Sequence, residues 1–373
     1  MFEKIQGQTQ TLEILNRAIN EGKIAHSYLF YGPEGVGKFT TALYFGMAVN
    51  CLAEKELRPC GQCSACTKFL SFNHPDLLYL FPSPNYDMSP DGEIKDSKML
   101  KEYESFLDNK RETPWKDFYF SGNIGLRLDS IRMLQHRLNL SRNEARYKIF
   151  LIEKTELMNI NAANAFLKTL EEPPEDVIII LITTKPETLL PTILSRCQKV
   201  SFHKLSRQVI ETELIDNRGC ELITAKTIAR IADGNLEKAL SLITDQRTES
   251  RQNVLTLIGL ILQGDDLGFI NFVDKYKTLK NVRELIDLIR NLIIWLADIA
   301  SFYTCPEQIV NIDRLELIEK IAANNSLIGE YISDIISFLE TMIRRLEGNV
   351  NPHLVGIEIY FHLKQYMKLV DVK

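Results

Sequence analysis

The sequence predicts an α/β fold in which a parallel-sheet domain is followed by helical regions. A glycine-rich loop stands between a short apolar run and a helical pattern, further apolar runs alternate with helical segments, and strand patterns end near residue 202. Strands that alternate with helices are typical of a parallel sheet covered on both faces. We expect a sheet domain over 1–202, a small helical module over 203–245 and an all-helical region over 246–373.

The composition is that of an ordinary soluble protein, with 45% hydrophobic and 25% charged residues. A net charge of −5 disfavours a dedicated nucleic-acid binder with a broadly basic surface. A local basic patch is still compatible with this net charge. The first residues lack the basic and apolar segments of a signal peptide, and no apolar run reaches the length of a membrane span. We therefore expect a cytoplasmic location.

The first elements are a helix, a strand and a second helix. Residues 9–22 have apolar residues at helical spacing that ends near Gly22. Ser27–Tyr31 is an apolar run typical of a buried strand, and the glycine loop after it leads into a helix over Lys38–Val49. This order of strand, glycine loop and helix is the context that a phosphate-binding loop requires, and it argues against an accidental motif match.

Residues 82–122 interrupt this pattern with prolines, a glycine and many charged residues. One helical pattern lies around Lys98–Leu107. We expect an insertion or a long loop on the surface, and the sequence indicates no role for it.

The alternating pattern returns after this insertion. Asp129 is a candidate N-cap of a helix with apolar residues at helical spacing. The next predicted elements are a strand, a helix stopped by two prolines, and two more strands, at Ile149–Ile152, Ala162–Leu170, Val177–Ile182 and Lys199–Phe202.

Beyond about residue 205 the strand patterns disappear. One predicted helix has an apolar stripe formed by Val282, Leu285, Ile289, Leu292, Leu296 and Ile299. Such a stripe is typical of a helix packed in the core of its own domain. A contact with another subunit is an additional hypothesis.

The glycine loop offers a phosphate cradle without the usual metal ligand. Residues 32–38 fit the motif G-x-x-x-x-G-K, in which backbone N–H groups and a lysine hold phosphate oxygens. The candidate phosphate-binding residues are Gly32, Gly35, Gly37 and Lys38. Phe39 stands where a Ser or Thr would coordinate Mg²⁺, and Thr40 is rotated by about 100° around the helix.

A second expected catalytic position is also altered. ATPases with this loop carry an Asp at the end of a neighbouring strand to orient Mg²⁺, and a following Glu commonly activates the attacking water. This chain has Glu153 and Lys154 there. Glu153 is able to serve a metal, whereas a protonated lysine is a poor base for water. The sequence leaves nucleotide binding open and disfavours efficient hydrolysis.

Four of the seven cysteines lie within sixteen residues, at Cys51, Cys60, Cys63 and Cys66. Four soft thiolates on such a tight spacing favour a closed tetrahedral Zn²⁺ site, which is structural because no position is left open for water or substrate. An iron–sulfur cluster is the alternative that the sequence leaves open. His74 is expected to be a packing or capping residue, since the cysteines already complete the site.

Arg196 precedes the last predicted strand. Taken alone, it would be read as a surface or salt-bridged arginine. A guanidinium at a domain edge is also able to reach the γ-phosphate in a neighbouring subunit, which is the role of an arginine finger.

Together these segments resemble the clamp-loader subunits of bacterial DNA polymerase III, within the AAA+ superfamily. The matching stretches are the phosphate loop, the four cysteines and residues 5–8, 25–30, 74–76, 164–174 and 195–197, with weaker matches at 234–240 and 351–354. The resemblance implies an AAA+ parallel-sheet domain with a zinc module at 51–66, a small helical lid and a C-terminal all-helical collar.

Within that family the gamma and tau subunits hydrolyse ATP and another type does not. Phe39, Lys154 and Glu237 depart from the hydrolysing pattern, in which a nucleotide-sensing arginine stands at the position of Glu237. The resemblance therefore implies a subunit of the polymerase III holoenzyme without ATPase activity of its own. It also implies that Arg196 acts in trans at the ATP site of an adjacent gamma/tau subunit.

The implied assembly is a heteropentamer with gamma/tau and delta subunits that places the sliding clamp on primed DNA, with no membrane partner. One alternative is an ATP-hydrolysing subunit of the gamma/tau type in which Thr40 replaces the missing metal ligand. A second alternative is a metal-stabilised scaffold without a role in replication.

Overall fold

The computed structural model describes residues 2–86, 94–113, 118, 120, 123–243, 246–276, 282–348 and 350–367. Parts of the predicted insertion, at 87–93, 114–117, 119 and 121–122, lie outside these ranges, as do residues 244–245, 277–281, 349 and 368–373 of the predicted helical regions. No helix in the described ranges is both long and apolar enough to cross a membrane.

The chain divides into two units. The first comprises Met1–Val209 and Asp233–Lys238, and the second comprises Ile210–Ala232 and Ala239–Lys373. The short segment 233–238 therefore belongs with the phosphate loop, although it is far from that loop in sequence. The predicted division at 202 and 245 into three parts stays a prediction.

The first unit is built on a five-stranded parallel sheet, which confirms the predicted α/β fold class. Its strands are β1 (Ser27–Tyr31), β2 (Leu77–Leu80), β3 (Lys148–Glu153), β4 (Val177–Thr183) and β5 (Gln198–Ser201), in the spatial order β2-β3-β4-β1-β5. The register pairs Tyr31 with Thr183, and Glu153 with Ile182. The carboxyl ends of β1, β3 and β4 therefore lie at one edge of the sheet, where the candidate site is built.

Helices cover both faces of this sheet, as expected. They are α1 (Thr9–Glu21), α2 (Lys38–Asn50), α3 (Ser64–Leu70), α4 (Ser97–Glu112), α5 (Leu128–Asn139), α6 (Ile160–Glu171) and α7 (Pro191–Leu194). Tyr28 and Phe30 pack into one core with α2, and Leu29 faces the other core with α5 and α6. Successive residues alternate between the faces because a strand has a side-chain period of two.

The prediction that Asp129 caps a helix was wrong in detail. The helix α5 begins at Leu128, so Asp129 lies within its first turn, and its carboxylate is 3.3 Å from the guanidinium of Arg132. A negative charge is favourable there because the unpaired N–H groups give the start of a helix a partial positive charge.

The helix predicted around Lys98–Leu107 within the insertion is confirmed as α4, which has no fully buried residue. Tyr103, Phe106 and Leu107 pack against the core of the first unit. These residues share one face of the helix because they are three and four positions apart. The insertion therefore contributes to the core and is not only a surface excursion.

The remaining helices are α8 (Arg207–Asp216), α9 (Leu222–Ala232), α10 (Leu236–Ile243), α11 (Gln246–Gln263), α12 (Asp266–Val273), α13 (Val282–Ser301), α14 (Leu315–Asn324), α15 (Ser326–Glu330), α16 (Ile332–Glu347) and α17 (Pro352–Lys364). Within its described residues the second unit contains no strand, as the sequence predicts. The apolar stripe of α13 is buried in the core of this unit. That stripe is thus used within the chain, and it does not offer a face to another subunit.

Candidate functional site

The glycine loop lies between the end of β1 and the start of α2. Gly32, Gly35 and Gly37 have φ angles of 144°, 67° and 90°, a region that other residues rarely adopt. A side chain at Gly32 would collide with the backbone oxygen of Phe202, and one at Gly35 would collide with Asn235. The loop conformation therefore requires these glycines whether or not a phosphate binds.

The lysine of the loop is directed at the loop itself. The Lys38 ammonium donates hydrogen bonds to the carbonyl oxygen of Gly32, at 2.9 Å, and to that of Pro33. Burial lowers the pKa of Lys38, although the nearby carboxylates of Glu237 and Glu34 oppose this shift. The cation that would hold phosphate oxygens is bound by carbonyl groups of its own loop.

The segment 233–238 lies against the same loop. The backbone N–H of Leu236 donates to the carbonyl oxygen of Gly35 at 2.8 Å. Burial raises the pKa of Glu237, and the carboxylates of Glu153 and Glu34 add to this shift. The side chain at position 237 thus brings a carboxyl group close to the charged residues of the phosphate loop.

The carboxylate at the end of β3 is engaged on both oxygens. Glu153 accepts a hydrogen bond from the Lys110 ammonium at 3.1 Å, and its other oxygen accepts one from the Tyr79 hydroxyl. Burial by itself would raise the pKa of Glu153, but the charge of Lys110 and these two hydrogen bonds outweigh it, so the pKa is lowered. Glu153 is an ionised carboxylate with partners from its own chain.

Phe39 fills the adjacent position with an aromatic ring. Its centre is 4.9 Å from the ring centre of Tyr79 and 4.1 Å from the Lys110 nitrogen. A Mg²⁺–nucleotide complex needs an oxygen ligand at position 39 and an available carboxylate at position 153. This arrangement provides neither, so the residues present do not fit a magnesium–nucleotide complex.

The residues near the end of β3 are fixed by further contacts. Lys154 has a φ of 52° and precedes a 3₁₀ turn. Glu156, which the sequence analysis did not single out, accepts hydrogen bonds from the hydroxyls of Thr183 and Thr184 at 2.7 and 2.9 Å. These bonds tie the turn after β3 to the end of β4. Lys154 directly follows the last residue of β3, which is the position that the sequence predicts.

Arg196 lies on the surface of the first unit, after α7 and before β5. Its guanidinium is 2.7 Å from the Glu171 carboxylate and donates to the carbonyl oxygen of Thr192 at 2.9 Å. About a third of the side chain is exposed, at 33%. The side-chain contacts of Arg196 are with Glu171 and Thr192, and neither residue belongs to the glycine loop.

The four clustered cysteines face a common centre. Their sulfur atoms all lie within 4.8 Å of one another, with 3.9 Å between Cys51 and Cys63 and 4.0 Å between Cys60 and Cys66. A tetrahedral zinc ion with Zn–S bonds of about 2.3 Å requires sulfur atoms roughly 3.8 Å apart. These residues therefore fit a four-coordinate zinc ion with small movements of the sulfur atoms.

Two backbone N–H groups favour the thiolate form of Cys60. The N–H groups of Gln62 and Cys63 point at the sulfur of Cys60, at 3.5 and 3.3 Å, and lower its pKa to about 6. A lowered thiol pKa favours metal binding because the thiolate is the ligand. Burial raises the pKa of the Cys51 and Cys66 thiols, and the four cysteines together could hold a metal ion.

His74 is a packing and hydrogen-bonding residue, as predicted. It is buried, its ring packs on Phe69 at 4.5 Å, and its Nδ1 accepts from the Asp76 backbone N–H at 3.1 Å. The Asp76 carboxylate accepts three backbone N–H groups at 2.8 Å, from Asn143, Glu144 and Ala145. These bonds join the segment after the cysteine cluster to the loop before β3.

Comparison with known proteins is consistent with these features. The family described as DNA polymerase III, delta subunit, matches residues 7–206. The chain is 29% identical over 354 residues to DNA polymerase III subunit delta' of Bacillus subtilis, which covers 92% of each chain.

Two other relatives are longer than this chain. Identity is 27% over 325 residues with DNA polymerase III subunit tau of Bacillus subtilis, covering 82% of this chain and 51% of that protein. Identity is 32% over 316 residues with Protein STICHEL of Arabidopsis thaliana, covering 80% of this chain and 22% of that protein. The chain thus spans about half of the first and about a fifth of the second.

Proposed function

We propose a function from the premise that this chain belongs to the DNA polymerase III delta-subunit family, as a member of its delta-prime type. It is a clamp-loader subunit that does not hydrolyse ATP itself. It supplies Arg196 to the ATP site of a neighbouring gamma/tau subunit while the sliding clamp is loaded on primed DNA. The first unit is an AAA+ domain, and this is supported by a phosphate loop after β1 in the parallel sheet.

The state of the loop supports the absence of hydrolysis. Phe39 has no oxygen to bind a metal ion, and both oxygens of Glu153 are engaged by Lys110 and Tyr79. Lys154 replaces the carboxylate that would activate water. Each of these changes alone would slow phosphoryl transfer, because the reaction depends on positioning and on charge stabilisation.

The position of Arg196 supports a role in trans. The guanidinium has the Glu171 carboxylate and the Thr192 carbonyl as partners at the surface of the first unit. A guanidinium that is already oriented loses less conformational entropy when it binds a phosphate group. Glu171 is proposed as the positioning residue for Arg196.

The cysteine cluster is proposed to hold zinc through Cys51, Cys60, Cys63 and Cys66. Zinc would stabilise the fold of the module and would take no part in catalysis, because four protein ligands leave no open coordination position. The sulfur–sulfur distances near 4 Å support this assignment.

Residues 203–245 are proposed as a helical lid, and residues 246–373 are proposed as the collar that joins this subunit to its gamma/tau and delta partners in a heteropentamer. Support comes from exposed apolar side chains on α12 and α17, two helices that contact each other. Leu267 is 75% exposed, and Leu354 and Phe361 are each 59% exposed. Exposed apolar side chains on adjoining helices are compatible with such an interface.

The proposed role of Arg196 is tested by reconstitution with the gamma/tau and delta partners. We expect Arg196→Ala to reduce ATP turnover at the affected site by roughly 10³–10⁵, the usual contribution of an arginine supplied in trans. Arg132→Ala is the matched control, since Arg132 is also an exposed arginine beside a carboxylate. DNA-stimulated ATP hydrolysis by the assembled loader is the measurement.

Two results would contradict this proposal. Unchanged hydrolysis in the loader with Arg196→Ala would remove the trans role and favour a scaffold. Magnesium-dependent turnover by the purified chain, abolished by Lys38→Ala, would favour an ATP-hydrolysing subunit of the gamma/tau type.

A further inference from the structure

The insertion places an ammonium group beside the carboxylate at the end of β3. Lys110 lies on the same face of α4 as Tyr103, Phe106 and Leu107, because positions i, i+3, i+4 and i+7 share one face of a helix. Those three side chains pack against the core of the first unit. The location of the Lys110 side chain is therefore set by a packed helix.

Aromatic contacts fix this helix against the sheet. The ring of Phe106 is 4.0 Å from that of Phe81 and 6.2 Å from that of Tyr79, measured between ring centres. Tyr103 stacks on Phe81 at 5.5 Å. Tyr79 lies near the end of β2, and Phe81 directly follows this strand. Because β2 pairs with β3, both residues lie close to Glu153. The aromatic packing thus brings α4 to the edge of the sheet where a metal ion would be held.

The Lys110 ammonium contacts two groups that would face a divalent cation in a hydrolysing subunit. Its nitrogen is 3.1 Å from the Glu153 carboxylate and 4.1 Å from the ring centre of Phe39. The side chains of Lys110 and Glu153 are 13% and 17% exposed, so most of this ion pair is removed from water. A buried carboxylate requires a counter-cation, because an unpaired buried charge is strongly unfavourable.

We infer that Lys110 is a built-in counter-cation that takes the place of a divalent metal ion at Glu153. Phe39 is consistent with this exchange, since an aromatic face attracts an ammonium group whereas a hydroxyl would be a metal ligand. The phosphate loop then folds and stays closed with cations from its own chain. This inference concerns the first unit alone, and it does not depend on the role of Arg196.

The charges around the loop predict the effect of removing the Lys110 side chain. The carboxylates of Glu34, Glu153 and Glu237 lie near the ammonium groups of Lys38 and Lys110. Removing the Lys110 side chain would take away the ammonium group that donates a hydrogen bond to Glu153. Truncation to alanine would also leave space beside Glu153, so a divalent cation from solution should bind there.

The test uses the full chain with its cysteine site loaded and Mn²⁺ as the probe. Thermal unfolding and the electron paramagnetic resonance signal of bound Mn²⁺ are measured for the wild type, Lys110→Ala and the double variant Lys110→Met with Glu153→Gln. We expect Lys110→Ala to lower the melting temperature by several degrees, to bind Mn²⁺ and to recover much of the loss in its presence. The wild type and the double variant should not respond to Mn²⁺ at this site.

The double variant keeps the test decisive. It replaces the ion pair with neutral side chains of similar size, so it should fold and stay close to the wild type in melting temperature even if Lys110→Ala does not fold. A double variant that fails to fold would overturn the inference. So would an unchanged melting temperature of Lys110→Ala, or a folded Lys110→Ala variant that binds no more Mn²⁺ than the wild type.

Discussion

The phosphate loop and the cysteine cluster lie in the same unit, and both are motifs that hold a ligand in other proteins. At the loop, Lys38 and Glu153 are directed at partners within the chain. At the cluster, four sulfur atoms face one another at distances that a zinc ion would bridge. The charged groups of the loop are thus neutralised by partners from the chain, whereas the sulfur atoms of the cluster share one centre with no cation among the described residues.

The difference has a physical cause. Lysine and glutamate are long charged side chains, and once buried they require an opposite charge or a hydrogen-bond partner. The chain supplies these partners through Lys110, Tyr79 and the carbonyl groups of the loop. Thiol groups are small and tolerate burial without strong partners, so a cluster of cysteines can remain directed at a shared centre.

The largest expected effect comes from breaking the cysteine cluster. We predict that Cys66→Ser loses the bound zinc and lowers the melting temperature by roughly 10 °C or more, because the binding energy of a structural zinc ion is also folding energy. Zinc content by mass spectrometry and thermal unfolding are the measurements.

Cys220→Ser serves as the control for this prediction, since Cys220 lies outside the cluster. It should retain both the metal and the stability. Iron in place of zinc in the purified protein would select the iron–sulfur alternative. Full stability of Cys66→Ser without metal would show that the two sites do not differ as described.

The second prediction asks whether a single oxygen restores the other site. Phe39→Thr should destabilise the fold by about 2–4 kcal/mol, because it removes a buried aromatic ring from Tyr79 and Lys110. It should gain no magnesium-dependent nucleotide binding, since Glu153 stays engaged. Isothermal titration with nucleotide and chemical unfolding are the measurements.

Phe39→Leu is the matched variant because it keeps an apolar side chain and adds no oxygen. It should lose less stability than Phe39→Thr and likewise bind no nucleotide. Saturable magnesium-dependent nucleotide binding by Phe39→Thr would contradict this prediction. It would mean that the missing hydroxyl, rather than the Lys110–Glu153 ion pair, prevents binding.

The smallest predicted effect concerns the pH dependence of stability at Glu237. Burial raises the pKa of this carboxyl in the folded protein, so its ionised form destabilises the fold above that pKa. The destabilisation fades as the pH falls through the folded pKa, and it is gone below the unfolded value of about 4.3. Glu237→Gln should therefore raise the melting temperature by a few degrees at pH 8, with less difference from the wild type near pH 4.

Glu13→Gln on the exposed face of α1 is the control and should show no such trend. Thermal unfolding across this pH range is the measurement. A Glu237→Gln variant that is less stable than the wild type at pH 8 would contradict this prediction. It would mean that the ionised carboxylate stabilises the phosphate loop.

Much of the candidate site could be predicted because local sequence sets it. The strand, the glycine loop and the helix after it are contiguous, and Phe39 and Lys154 are visible as departures from a linear motif. The spacing of the cysteines likewise requires no knowledge of the fold. By contrast, the strand β2 was not predicted, because an apolar run of four residues shows little periodicity.

The sequence by itself determined the α/β class, the phosphate loop, the four-cysteine cluster and the apolar stripe of α13, since each depends on neighbours within a few residues. The tertiary structure alone decided what stands at the metal position. Lys110 is 43 residues from Glu153, and Leu236 is far from Gly35, so only the folded chain brings these pairs together. The spacing of Tyr103, Phe106 and Lys110 marks one helix face, but charge and packing across the sheet edge decide which partner that face meets.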